Sequence, residues 1–225
     1  MSGFIYKRKF YRNFFIRKYI RINCWLANRL DSAKDKKICG VSLVKYVPSK
    51  FRESMGATGS QSTRYWMLDA ILRGEEFTAD DSLFDVGCGK GRVLAYLISR
   101  KYPCKVTGIE LNEEVAQFAK NWTDKYPNAE IINGSAFDVD YNDYTVLFMG
   151  RPFELETFEK FIVKLESIMK HPIKVYSWYD QACHFLDDRK GWKLEKRNLF
   201  FVSHGLFMFP NPQRYSVWIY TPDEE

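Results

Sequence analysis

Three glycines at alternate positions, Gly87, Gly89 and Gly91, separate two apolar patterns of different period. Before them, Leu83, Phe84 and Val86 form the short apolar run of a buried parallel strand. After them, Val93, Leu94, Leu97 and Ile98 recur at helical spacing. The stretch reads as strand, glycine turn, helix. Glycine permits a positive φ and lets a ligand approach the main chain, and a helix start offers unpaired N–H groups. Alternation of this kind predicts an α/β fold.

The spacing decides between the glycine turns that bind nucleotides. A dinucleotide turn needs G-x-G-x-x-G, which from Gly87 would put its third glycine at position 92, and that residue is Arg92. A phosphate loop needs Gly-Lys followed by Ser or Thr, and here Gly89 and Lys90 are followed by Gly91. The next apolar run, Lys105 to Glu110, ends in an acid, placed where a second strand holds a ribose diol. Asp85-x-Gly87-x-Gly89-x-Gly91 followed by Glu110 resembles the class I S-adenosylmethionine (SAM) methyltransferases over roughly residues 60–220. The resemblance implies a doubly wound, mostly parallel seven-stranded sheet whose last strand is antiparallel. It implies SAM as cofactor, held by Asp85, Gly87, Cys88, Gly89, Gly91, Glu110 and Leu111. It extends the cofactor set to Ser135 and Ala136, where the family often carries Gly-Asp-Ala. Cys88 reads better as a small packing residue than as a catalytic thiol.

The charge is unevenly distributed. Residues 1–50 hold 13 Lys or Arg and 2 Asp or Glu, a net of +11. Since the 225-residue chain is +6 overall, residues 51–225 carry −5. That division sets a basic, aromatic arm and connector, 1–50, apart from a methyltransferase domain, 51–225. The mildly acidic body disfavours a nucleic-acid substrate. Residues 1–30 contain eight bases and no acid, with Tyr11, Phe15, Ile22, Trp25 and Leu26 near helical spacing. No run approaches the ~20 apolar residues of a membrane span. A membrane-surface helix over 4–30, a nucleic-acid arm and a helix docked on the body all fit this pattern. Residues 31–60 read as a connector whose small, polar end, 55–62, resembles a lid. Five cysteines with no C-x-x-C pair fit a reducing cytoplasm and suggest no metal site.

After the fourth strand, where the family places acceptor-side residues, the chain reads Gly150-Arg151-Pro152-Phe153. In the relatives that methylate nucleobase amines, Asn or Asp stands where this chain has Arg151. A guanidinium cannot accept a hydrogen bond from an amine, but it binds carboxylate or phosphate. Arg151, Pro152 and Phe153 are therefore the expected catalytic, acceptor-side group. The resemblance leaves the acceptor open. A small or lipid-linked molecule comes first, with a protein lysine, or a SAM-binding regulator without catalysis, as the alternatives. Tyr179 and Asp180 are expected to face the same cleft.

Overall fold

The computed structural model describes residues 13–178, 183–200, 203–204, 207–208 and 213–223. Residues 4–12 of the arm, and Tyr179 and Asp180, lie outside them. Helix α1 (Phe14–Cys39) starts where the Asn13 side chain accepts from the N–H groups of Phe15 and Ile16, and ends at the left-handed Gly40. A single turn, α2 (Arg52–Met55), and helix α3 (Tyr65–Leu72) lead into the alternating body. There β1 (Ser82–Val86), α4 (Arg92–Ser99), β2 (Lys105–Glu110), α5 (Glu113–Thr123) and β3 (Ala129–Asn133) follow in turn. The chain continues through β4 (Val146–Met149), α6 (Leu155–Ile168), β5 (Ile173–Trp178) and α7 (Cys183–Leu186). It closes with β6 (Trp192–Phe200) and β7 (Gln213–Tyr220), between which Ser203–His204 and Phe207–Met208 pair as a small hairpin.

The seven strands run in the order β3-β2-β1-β4-β5-β7-β6. Strands β1 to β5 are mutually parallel, and β7 lies antiparallel to both β5 and β6. Successive strand residues point to opposite faces, so each strand feeds two cores. Leu83, Val106, Val146 and Phe148 pack under α3, α4 and α5, while Phe84, Val86, Leu147 and Met149 pack under α6. The chain leaves β1 toward β2 on one side and reaches β4 on the other. This order reversal opens a crevice at the carboxyl ends of β1 and β4.

The expected connector needs correcting at its start: residues 31–39 continue α1. Their charges do not loosen the chain, because Asp31 and Asp35 turn inward and meet Arg64 and Arg92 of the body. Ile20, Asn23, Ala27, Asp31, Asp35 and Cys39 form the buried face of α1, so the described part of the arm is a docked helix. The helix also lies against the strand Phe207–Met208. Among the described residues, no helix is long and apolar enough to cross a membrane.

Candidate functional site

The crevice holds a concave cleft lined by the ends of β1, β2 and β4 and by residues 57–63. Its floor is the turn after β1. Gly87, Gly89 and Gly91 all have positive φ, as the alternate spacing requires. A Cβ on Gly87 would come within 2.6 Å of the Pro152 side chain, and one on Gly89 within 2.5 Å of Ser60 Oγ. Both glycines line the cleft. Gly91 does not. It caps α4, and a Cβ there would meet the Trp122 ring at 2.8 Å. The third glycine of the motif thus serves the packing of α4 on α5.

The other expected cofactor residues, Asp85, Cys88, Glu110, Leu111, Ser135 and Ala136, line the cleft together. Glu110 at the end of β2 accepts from the backbone N–H of Asn112 at 2.8 Å and of Gly89 at 3.0 Å. Burial raises its carboxyl above the usual range, and these N–H groups oppose the rise. Asp85 is 2% exposed, and its Oδ2 is buried without a hydrogen-bond partner. Burial, then the charge of Glu110, pushes the Asp85 carboxyl well above the carboxylate range. A buried carboxyl in this state suits an incoming cation or N–H donor, whose arrival would favour its ionised form. Burial also pushes the Cys88 thiol up, which keeps it from acting as a thiolate. Ser135 Oγ accepts from Phe137 N at 3.2 Å, capping the turn of 136–138.

The expected acceptor side shares this cleft. Arg151, Pro152 and Phe153 line it after β4, on the other side of β1 from β2, which ends in Glu110. Arg151 is held at φ +59°, a left-handed conformation rare for a long side chain and characteristic of functional turns. Its Nη2 stands 3.9 Å from Glu154, which also pairs with Arg52.

The residues 55–62 form a roof that sequence reading placed only as a lid or linker. Thr58 N donates to Pro152 O at 2.9 Å, Thr58 Oγ1 donates to Arg151 O at 2.6 Å, and Glu154 N donates to Gly56 O at 2.8 Å. At its other edge Ser60 exchanges backbone hydrogen bonds with Val47. Arg92 and Thr63 also line the cleft and were missed. The signal for Arg92 was its presence where a dinucleotide turn would have glycine.

Sheet order, switch point and glycine turn define the fold of the class I, Rossmann-like SAM-dependent methyltransferases. Residues 83–171 match the family model described as a methyltransferase domain, a match that indicates SAM as the cofactor. A protein-lysine N-methyltransferase of Saccharolobus islandicus is 32% identical over 84 residues, 35% of this chain and 51% of that protein. A probable ribosomal RNA small subunit methyltransferase A of Methanosarcina acetivorans is 27% identical over 90 residues, 40% of this chain and 33% of that protein. The chain thus spans between a third and about half the length of these curated relatives. Among solved structures, a methyltransferase from Pyrococcus furiosus superimposes with a TM-score of 0.62 at 17% identity, covering 89% of this chain and 99% of that one. An RNA methyltransferase from Salinibacter ruber, in complex with S-adenosyl-L-homocysteine, gives 0.52 at 20% identity, covering 73% and 95%. At these identities the structural likeness is one of fold.

The residues present fit SAM. The orphaned Asp85 Oδ2, and the left-handed Gly87 and Gly89 whose side-chain-free backbone lines the cleft, suit a cationic, closely seated ligand.

Proposed function

We propose that the chain transfers a methyl group from SAM to an acceptor carrying an anionic group, a small or lipid-linked molecule. The observation that carries this is the shared cleft, which Asp85 and Glu110 line together with Arg151, Pro152 and Phe153. SAM supplies an electrophilic methyl on a sulfonium, a good leaving group, so the chain needs no nucleophile or metal of its own. Its work is alignment and exclusion of water, for which orientation alone can contribute several kcal/mol. Gly87 and Gly89 leave room for the cofactor, Asp85 and Glu110 hold it, and the roof of residues 55–62 covers the cleft. Arg52, Glu154 and Arg151 together carry one net positive charge at the acceptor wall, which favours an anion there.

The lysine-acting relative supports a protein acceptor as a second reading. The rings of Phe137 and Phe153, 5.8 Å apart, offer the apolar wall such a side chain would use. RNA, named in other relatives, fits less well with a body of net charge −5. Methyl-labelled SAM offered to acidic small molecules, lipids, intact proteins and RNA from cell extract tests the reading. Label in the acidic small-molecule or lipid pool supports it; label only in protein or RNA overturns it. SAM binding without transfer to any pool would point to a regulator.

The same reading has the protein working at an anionic membrane surface. Helix α1 turns both its acids inward and its bases outward: Arg17, Lys18, Arg21 and Arg29 are exposed beside Phe15, Ile22, Trp25, Leu26 and Leu30. Bases beside large apolar groups suit acidic headgroups. Sedimentation of the full chain with anionic vesicles should exceed that with neutral ones and fall with salt. Leu26→Glu, at an exposed site, should reduce it without lowering SAM affinity. Equal sedimentation with both vesicle types, or none, removes this reading and leaves methyl transfer standing.

A further inference from the structure

Arg92 is the first residue of α4, directly after the glycine turn, and its side chain is 3% exposed. Its guanidinium grips Asp35 of α1 with both prongs: Nε donates to Oδ1 at 3.0 Å and Nη2 to Oδ2 at 2.7 Å. The remaining prong, Nη1, reaches the carbonyls of Ser62 and Thr63 at 3.4 and 3.3 Å, where the cleft roof ends. Asp35 is itself 0% exposed and accepts from Leu43 N at 2.8 Å, holding the segment that leads to the roof. Asp31 and Arg64 complete a group of two acids and two bases. The roof then crosses Gly89 so closely that a Cβ there would lie 2.5 Å from Ser60 Oγ. One fork therefore joins the floor of the cofactor cleft, its roof and α1.

We propose that Asp35 is a positioning residue of the SAM site: by fixing the Arg92 fork it sets the end of the roof over the glycine turn. Asp35 does not line the cleft and acts on it through Arg92, with the Leu43 N–H as its second tie to the roof segment. A planar fork satisfied by a carboxylate has one orientation, and without that carboxylate the buried guanidinium loses its two-pronged partner and keeps only Asp31, 3.6 Å from Nη1. Arg92 then turns toward other acceptors and releases the two carbonyls.

The test is SAM binding by calorimetry, read beside thermal melting on the full chain. Asp35→Asn keeps the shape and removes the charge; its SAM dissociation constant should rise at least tenfold in protein whose circular dichroism is that of wild type. Asp35→Glu, which restores the carboxylate, should recover part of the loss. Tyr126→Phe is the control. Its hydroxyl donates to Ile38 O of the same helix, away from Arg92, so that variant should melt lower with SAM affinity within twofold of wild type. If Asp35→Asn does not fold, Arg92→Lys carries the test: charge is kept, the fork is lost, and affinity should fall by at least the same tenfold. Lower melting with unchanged SAM affinity, in whichever of these variants folds, would make the pair merely structural and overturn the proposal. The readout is cofactor binding, so its failure is distinct from any failure to find the acceptor.

Discussion

Glu110 accepts a hydrogen bond from the Gly89 backbone N–H at 3.0 Å. The bond joins the end of β2 to the turn after β1, so the acid and the glycine cradle are set against each other in the chain itself.

Replacing Glu110 by Ala should weaken SAM binding by about tenfold to a few hundredfold. A hydrogen bond with a charged partner contributes ~1.5–3 kcal/mol, and ~1.4 kcal/mol corresponds to one decade. Calorimetric titration with SAM checks it. Wild-type affinity retained in the variant, or wild-type protein preferring NAD to SAM, would show that this acid does not meet the cofactor.

Asp85 should make stability depend on pH. Its folded pKa is raised by burial and by Glu110, so its stabilising contribution is full below the unfolded pKa and is lost as pH rises through the raised folded value. Asp85→Asn removes that loss. The variant, free of SAM, should gain on wild type from about pH 4 upward, by at most ~1.4 kcal/mol per pH unit. Its SAM affinity should fall all the same. Denaturant melts at several pH values give the answer, and parallel curves for the two proteins would refute it.

Gly89 and Gly91 should fail differently. Gly89→Val puts a side chain where Ser60 Oγ lies and where the cofactor must pass, so SAM binding should be abolished in a folded protein. Gly91→Ala drives a methyl into the Trp122 ring at a φ of +84°, so the loss should appear first in melting temperature. Each left-handed non-glycine residue costs roughly 1–2 kcal/mol. Melting and SAM titration of both variants, side by side, separate the roles; weaker SAM binding by Gly91→Ala than by Gly89→Val would reverse the assignment.

At Arg151 the expected effect divides between side chain and backbone. Arg151→Ala should raise the acceptor's KM and leave SAM affinity nearly unchanged. Arg151→Gly should do the same to the acceptor yet melt higher than Arg151→Ala, because glycine takes φ +59° without strain. The difference should be about 1 kcal/mol. A fall in SAM affinity with intact acceptor binding would place the guanidinium on the wrong wall.

Much of the cleft at the ends of β1 and β2 was legible because its residues are neighbours in sequence or in strand pairing. Gly87 and Gly89 lie in one turn, and Glu110 ends the strand that pairs with β1, so spacing alone carried the match. The strand Lys105–Glu110 and the Asn112 cap that starts α5 follow from local apolar period and cap chemistry in the same way. Gly91 shows the limit. The motif groups it with the other two, but its role is set by Trp122, which α5 delivers from another part of the chain.

Taken alone, the sequence determined the α/β class, the glycine turn, the acid at the end of β2 and the basic character of the arm. These depend on local period, on φ that only glycine adopts freely, and on composition. Tertiary structure decided that Asp35 meets Arg92 across 57 positions, that Thr58 ties the roof to Arg151 and Pro152, and that α1 continues through 31–39. A run of charges reads as a solvated linker until its partners are known. Once Arg92 and Arg64 stand opposite, the same acids are at home in the interior, because burial of a carboxylate is tolerated where a guanidinium matches its charge.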